Sequence, residues 1–163
     1  MTGVKELTAA LAQWLTEGGV NAVTAWGEER RARPTAALAA VSLRGLEGGS
    51  AGYQDYLGER FNEKNGAWEE LYGKKLELTF GLDLYAASAA EVSAALERMG
   101  ELLGGGGPDG MAPAGFSAGE TVYQSESRRY FCPIQAKFQV WAVATAREGE
   151  TFLDFKIKGE NEP

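Results

Sequence analysis

The chain has 163 residues, with 16 Lys and Arg against 23 Asp and Glu, a formal net charge of -7, no His and one Cys. This length suits one soluble domain, residues 1–163, whose core needs no metal or disulfide. Without histidine, and with Cys132 as the lone thiol, the sequence excludes histidine-dependent catalysis, an internal disulfide and the usual zinc and haem sites. The acidic balance argues against a broad surface for phosphate backbones, which requires clustered Lys and Arg.

Apolar residues at the N-terminus recur every three or four positions, which predicts an amphipathic helix. The stripe consists of Val4, Leu7, Leu11, Trp14 and Leu15. Thr2 is the expected N-cap and Gly18-Gly19 the expected end. Charged residues interrupt this segment, so we expect no signal peptide, and no stretch resembles a membrane span. The sequence therefore predicts a protein made and kept in a cytoplasm.

Two weakly alternating segments, 20–26 and 34–46, flank the charged run 28–33. They predict two strands joined by a polar turn. The next region, 53–74, is rich in aromatic and charged residues and contains Asn65-Gly66. Because both positions tolerate positive φ, this pair predicts a two-residue type I′ turn between arms 56–63 and 67–74. We expect this β-hairpin to project from the domain.

Strict alternation from Leu76 to Leu84 predicts a strand with one buried face. Ser88 and Glu91 then form a capping-box pattern ahead of a helix that ends at Gly104 to Pro108. Residues 104–115 are expected to form a flexible Gly-rich loop. A phosphate-binding role for this loop is disfavoured, because it follows a helix and lacks the Gly-Lys-Ser/Thr ending of a P-loop.

Three more extended segments follow, at 116–123, 130–144 and 151–158, and residues 159–163 are expected to be frayed. The elements predict an α+β domain in the order α-β-β-hairpin-β-α-β-β-β. In this fold two helices pack on one face of a curved, mostly antiparallel sheet, from which the hairpin projects. Cys132 lies on the apolar face of a predicted strand, where a buried, inert thiol is expected.

No pattern in the chain points to catalysis, a metal site or a cofactor. Several carboxylates lie on or near the hairpin, but their spacing does not show that any two face each other, and no EF-hand pattern is present. These carboxylates are Asp55, Glu59, Glu63, Glu69, Glu70, Glu77 and Asp83. No Gly-x-Ser-x-Gly elbow accompanies the serines.

The aromatic hairpin leaves two interpretations open. Its rings could fill a satellite core if the hairpin folds back over its own sheet, or they could form a protein-protein interface, where Tyr, Trp and Arg are enriched. A projecting hairpin also offers an edge for strand addition. The candidate interface residues are Tyr53, Tyr56, Arg60, Phe61, Trp68, Leu71 and Tyr72.

Three segments, together with the order of elements, resemble small prophage proteins of the tail-assembly region. They are Val41-Ser-Leu-Arg-Gly-Leu-Glu, Gly52-Tyr-Gln-Asp-Tyr-Leu-Gly-Glu-Arg and Glu70-Leu-Tyr-Gly-Lys-Lys-Leu-Glu-Leu-Thr-Phe-Gly-Leu-Asp-Leu-Tyr. Nearly the whole chain resembles the phage tail terminator, or tail-completion, family. The resemblance implies a non-enzymatic protein that forms a ring, commonly hexameric, on the end of the tail tube and meets the neck proteins. The resemblance assigns a functional role to no individual residue.

The partners implied are further copies of the chain, the tail tube and the neck or head-completion proteins, in the host cytoplasm and then the virion. An acidic domain is compatible with a pore that DNA crosses without binding. The alternative from a different class is a small-molecule-binding or enzymatic α+β domain with a pocket between helix and sheet. Carboxylates near Glu77 and Asp83 would be its candidate polar groups.

Overall fold

The computed structural model describes residues 3–24, 36–50, 56–147 and 154–158. The elements of this part of the chain are α1 (Val4–Glu17), β1 (Ala22–Val23), β2 (Leu38–Ser50), β3 (Tyr56–Asn62), β4 (Ala67–Ala86), α2 (Ala89–Gly105), β5 (Ala112–Ala118), β6 (Val122–Gln124), β7 (Arg129–Cys132), β8 (Ile134–Arg147) and β9 (Asp154–Lys158). The strands form one mostly antiparallel sheet, and both helices pack against one of its faces. The predicted α+β class is confirmed. Thr2, the charged run 28–33, Tyr53 and the tail 159–163 lie outside the described residues.

Helix α1 forms where the apolar stripe predicted it, although its N-cap is Gly3. The Gly3 N–H donates to the Glu6 carboxylate at 3.0 Å, which satisfies one of the amides at the start of the helix. At the other end the Gly18 N–H donates to the Trp14 carbonyl at 3.0 Å, so the predicted end is confirmed. The buried face of α1 consists of Leu7, Leu11, Ala12 and Leu15.

The first two strands pair in parallel, so the prediction of a simple turn between them is wrong. The register aligns Ala22 with Ala39 and Val23 with Ala40. A tight turn joins antiparallel strands only, whereas parallel neighbours need a longer connection. The short run 28–33 was therefore not the whole connection, and the segment between β1 and β2 extends to residue 37.

Strand β4 forms the centre of the sheet and runs for 20 residues without interruption. On one edge, β2 pairs with residues 74–85 and β3 pairs with residues 67–72. On the other edge, β8 pairs with residues 69–81. The predicted hairpin arm 67–74 and the predicted core strand from Leu76 to Leu84 are thus one strand, because β8 pairs without a break across both.

The turn between β3 and β4 differs from the predicted two-residue type I′ turn. Asn62 pairs with Ala67, so four residues connect the strands, and only Gly66 among them has positive φ, 63°. The Asn62 side chain accepts from the Lys64 amide at 3.0 Å, and its carbonyl accepts from the Gly66 amide at 2.8 Å. An asparagine two residues before a peptide N–H often makes this local bond, which favours the longer loop.

Helix α2 begins at the predicted cap. The Ser88 hydroxyl accepts from the Glu91 amide at 3.2 Å, and Glu91 Oε2 is buried with no hydrogen-bond partner in the described structure. The helix continues to Gly105, so the loop before β5 is shorter than the predicted 104–115. Pro108 and Met111 are buried within this loop, which packs it against the core.

A second long hairpin completes the sheet. Strands β5 and β6 lie along β8 and β7, and residues 125–128 form the turn, in which Arg128 has φ 54°. The predicted strands 116–123 and 130–144 are each divided in two, the second at Pro133, which has no N–H for the sheet. The predicted buried face is confirmed: Cys132, Ile134, Ala136, Phe138 and Val140 are all buried.

Candidate protein-protein interface

The buried side of β4 changes along the strand. From Leu78 to Ala86 the even-numbered residues are buried under the helices. From Glu69 to Gly73 the odd-numbered residues are buried instead. The exposed pair Lys74-Lys75 lies between these two parts of the strand. Side chains alternate between the faces of a sheet, so the helix-side face of β4 is covered in one half and open in the other. We call residues 56–72 the hairpin tip.

Four aromatic rings lie on the helix-side face of the hairpin tip and form two cross-strand pairs. Tyr56 pairs with Tyr72 at 5.5 Å between ring centroids, and Phe61 pairs with Trp68 at 5.6 Å, both edge to face. Such pairs stabilise neighbouring strands by about 0.5–1.5 kcal/mol beyond their area burial. Nevertheless Tyr56, Phe61 and Trp68 remain 40%, 49% and 61% exposed. The rings therefore do not form a satellite core, which was the alternative to an interface.

Two glutamates lie between the aromatic pairs and act on the tyrosines. Glu59 and Glu70 are register partners, and the Tyr72 hydroxyl donates to Glu70 Oε2 at 2.8 Å. That hydrogen bond raises the pKa of Tyr72 above 10.0. Partial desolvation, together with Glu59 and Glu70, raises the pKa of Tyr56. Both phenols consequently stay neutral and able to donate hydrogen bonds well above neutral pH.

The opposite face of the hairpin tip holds a polar cluster around Glu69. This residue is only 6% exposed, and its carboxylate accepts from Asn62 Nδ2 at 2.8 Å and from Arg60 Nε at 3.4 Å. Leu71, on the same face, is 5% exposed. Leu57 lies over the neighbouring Gly73, where a Cβ atom would come within 2.8 Å of the leucine side chain. This face is thus closed by the chain itself.

The structure separates the predicted interface residues into two groups. Tyr56, Phe61, Trp68 and Tyr72 lie together on the helix-side face. Arg60 and Leu71 belong to the opposite face and cannot join them in one surface, since a strand alternates its side chains. Tyr53, the remaining candidate, lies outside the described residues.

Sequence reasoning missed two exposed leucines on the same face of the sheet and three exposed residues at another edge. Leu43 and Leu46 are exposed on β2, on the same face as the aromatic rings. Leu46 lies opposite Leu78, six residues along β4 from Tyr72, the partner of Tyr56, and exposed Lys74 lies between them.

Phe116, Val122 and Tyr123 are exposed on β5 and β6, and the register places Val122 on the face opposite to Phe116 and Tyr123. Alternation identified several of these residues as strand residues, but it does not show which strands lie at an edge.

The carboxylates of the small-molecule alternative are held in ion pairs on the helix-free face. Asp83 Oδ2 lies 2.7 Å from Arg44, and Glu77 Oε1 lies 3.6 Å from Lys137 Nζ. Glu77 also lines an open depression of about 270 Å³ beside the end of β2. A second depression, about 360 Å³, lies at the β6–β7 turn. Neither of these two cavities is lined by a helix residue, and among the described residues no cluster of three or more acidic or Cys side chains could hold a metal ion.

Comparison with protein-family models and with curated proteins found no relative of this chain. Within the described residues, neither helix has the length and apolar character that a membrane crossing requires.

Proposed function

We propose that this chain is a structural, non-enzymatic subunit of a phage or prophage tail. It assembles with copies of itself into a closed ring, commonly a hexamer in the family that the sequence resembles. The ring caps the tail tube, stops its polymerisation and joins it to the neck or head-completion proteins. It would assemble in the host cytoplasm and then belong to the virion, and DNA would pass through it without specific binding.

The observation that carries this proposal is the open aromatic surface of the hairpin tip. Tyr and Trp dominate the energetics of protein interfaces because they supply a large, rigid contact area together with a polar group. Here Trp68 is the most exposed large apolar side chain of the described residues, and Phe61 and Tyr56 lie beside it. Glu59 and Glu70 lie between the two aromatic pairs, so the surface combines apolar contact area with charged groups.

The aromatic side chains are also held in position before any partner binds. Each ring of the Tyr56–Tyr72 and Phe61–Trp68 pairs contacts its neighbour across the β3–β4 ladder. Behind them, Glu69 ties Arg60 and Asn62 to the opposite face. Ordering side chains on association costs about 0.5–1.5 kcal/mol each, so a preordered surface binds more tightly for the same area.

Light scattering over a concentration series, with negative-stain images of the same fractions, tests the proposal. We expect a ring of about six subunits, as a heterologous interface that closes would give. The double variant F61S/W68S should remain folded and lose the ring. Its matched control, E63S/K64S, changes two exposed polar residues in the turn of the same hairpin and should keep the ring. A wild-type chain that never exceeds a dimer would contradict the proposal.

A further inference from the structure

At the hairpin tip the sheet is four strands wide, and each of its two outer strands, β3 and β9, has one side that no described strand pairs. Strand β3 pairs only with β4, β4 pairs with β8, and β9 pairs only with β8 among the described strands. The backbone groups on the outer sides of β3 and β9 therefore have no strand partner within the described part of the chain. Open edges of this kind accept another strand unless they are covered.

Strand directions favour contact between these two edges. Strands β3 and β8 both run antiparallel to β4, and β9 runs antiparallel to β8. Strand β9 thus runs in the direction of β4 and opposite to β3. A second copy placed beside the first without inversion brings β3 of one copy antiparallel to β9 of the other. Antiparallel pairing is the slightly more stable ladder, and it would extend the sheet from copy to copy.

The two edges are displaced along the sheet relative to each other. Strand β3 pairs with residues 67–72 of β4. The register through β8 places β9 level with residues 71–75 of β4. Strand β9 therefore lies three to four residues further along β4 than β3 does. Because side chains alternate between the faces, only an even shift keeps each face continuous from one copy to the next, which selects a shift of four residues.

A similar displacement recurs where both edges continue into the helix-covered half of the sheet. The first edge continues as β2, whose outer side has no described neighbour beyond Ala40. The second edge continues as β5, which pairs only with β8 among the described strands and lies level with residues 77–81 of β4. The first edge is interrupted level with Gly73 and the second level with Leu76, three residues further along. Two edges with nearly the same offset in both segments can meet along both.

A closed ring of tilted strands requires such a displacement. Closing a sheet into a barrel staggers its strands, and a tilt of about 36° corresponds to about one residue of stagger per strand. All copies in a ring lie at the same height, so the stagger accumulated within one copy becomes an offset between the edges that meet. Four strands per copy at the tip call for about four residues, which matches the shift obtained from the register.

We infer that β9 of one copy pairs antiparallel with β3 of the next copy, so that one sheet continues around the assembly. This inference rests on the self-association proposed above and specifies its contact. With the four-residue shift, residues 154–158 of one copy lie opposite residues 58–62 of the next. Every copy offers one edge of each kind, so the contact is heterologous and repeats around a ring if the rotation closes. Tyr56 and Phe61, on β3, then lie at the boundary between two copies.

Disulfide trapping between β3 and β9 tests this pairing. The four-residue shift places position 156 of one copy directly opposite Arg60 of the next. Variant R60C/K156C is made together with C132A, which removes the buried native thiol. Within one copy, positions 60 and 156 are separated by three strand spacings, at least about 14 Å, which is too far for an internal disulfide. Mild oxidation of the assembled protein should therefore give a ladder of covalent oligomers on a non-reducing gel.

Matched variants control for unspecific oxidation. R60C alone and K156C alone, each with C132A, should remain monomeric on the gel, and their equimolar mixture should give covalent dimers only. E47C/K156C with C132A moves the first cysteine to β2, on the same face but eight residues further along the edge, and should give no ladder. Circular dichroism and urea unfolding verify that each variant is folded.

Amide hydrogen exchange of the unmodified chain covers the case in which the cysteine variants do not assemble. Exchange is compared residue by residue between the dilute monomer and the concentrated assembly. Outward-facing amides within 56–62 and 154–158 should exchange at least about tenfold more slowly in the assembly, because they gain partners. The exposed turn 63–66 takes no part in the contact and should exchange at the same rate in both states.

The outcomes separate this inference from the proposed ring. Wild-type rings whose β3 and β9 amides exchange as in the monomer would overturn the inference and leave the ring standing, and so would a ladder from E47C/K156C in place of R60C/K156C. A ladder from R60C/K156C, together with open filaments of the wild type, would support the inference and contradict a closed ring. A wild-type chain that stays monomeric at about 100 µM would contradict both.

Discussion

The two halves of β4 share one strand, one alternation and one ladder with β8, yet they bury opposite sides. In the half under the helices, Phe80 and Leu82 are inaccessible to solvent on the helix-side face. In the hairpin tip the helix-side residue Trp68 is exposed, and Glu69 and Leu71 on the other face are buried. The comparison shows that alternation assigns a residue to a face, while the neighbouring elements decide which face is covered.

The difference has a structural cause. Helices α1 and α2 contribute to the core with Leu11 and Met99, which pack with Phe80 and Phe138. None of the hairpin-tip residues belongs to that core. On the opposite face, Leu57 and the Glu69 hydrogen bonds close the tip locally. The open aromatic face is therefore the part of the sheet that neither of the two described helices covers.

Replacing one phenylalanine in each half should give the largest contrast. Phe80→Ala leaves a cavity under the helices and should lower the free energy of unfolding by about 3–5 kcal/mol. Phe61→Ala, on the same face of the exposed tip, loses only its contact with Trp68 and should cost about 1 kcal/mol or less. Urea unfolding of dilute, monomeric protein measures both values. Equal losses would mean that the two halves are covered alike.

The second prediction concerns the buried face of the tip. Glu69→Ala removes the acceptor of Asn62 and Arg60 and should lower the free energy of unfolding by about 1–3 kcal/mol. Glu63→Ala changes an exposed residue in the adjoining turn and should stay within about 0.5 kcal/mol of wild type. Urea unfolding again provides the measurement. If the two variants were indistinguishable, the carboxylate cluster would not stabilise this face.

A smaller effect is expected in the helix-covered half, at the start of α2. Ser88→Ala removes the side chain that accepts from the Glu91 amide and should cost about 1 kcal/mol. Ser93→Ala, at an exposed position within α2, should instead be neutral or slightly stabilising, because Ala has the higher helix propensity. Thermal unfolding of both variants checks the difference. A neutral Ser88→Ala would exclude the cap as a source of stability.

The smallest effect is electrostatic and belongs to the tip. The raised pKa of Tyr72 means that the folded state favours the neutral phenol, so this contribution to stability is present below pH 10.0 and is lost as pH rises through the folded pKa. Glu70→Gln removes the charge beside the phenol and should lower the Tyr72 pKa. Alkaline absorbance titration in a Tyr56→Phe background follows it, with Glu63→Gln as control. An unchanged Tyr72 titration would contradict the Glu70 contact.

Much of the fold was predictable because it depends on local patterns. The apolar stripe from Leu7 to Leu15 gave α1, Ser88 gave the start of α2, and the alternation around Phe80 gave a core strand, all of which are confirmed. The pairing of the strands could not be predicted from the sequence in the same way. The parallel β1–β2 contact and the continuity of β4 depend on residues distant in sequence, and local signals do not report them.

The sequence predicted that the candidate site is rich in aromatic residues, but it did not predict which of them share a face of the sheet. The aromatic content of 53–74 indicated an interface, but the grouping of Leu71 with Trp68 ignored the faces to which they belong. The exposure of Phe116, Val122 and Tyr123 was missed because they look like ordinary strand residues in the sequence. Their exposure follows from the position of β5 and β6 at the outer edge of the sheet.

The sequence by itself determined the α+β class, the two helices with their ends, and the residues that fill the core. These features follow from spacing and from capping chemistry, which act over a few residues. Only the tertiary structure decided which described strands are edges, which face of the hairpin tip is open, and where along the sheet the exposed apolar residues lie. Those properties depend on long-range pairing and on where the helices end against the sheet, and both are set by the packing of the whole chain.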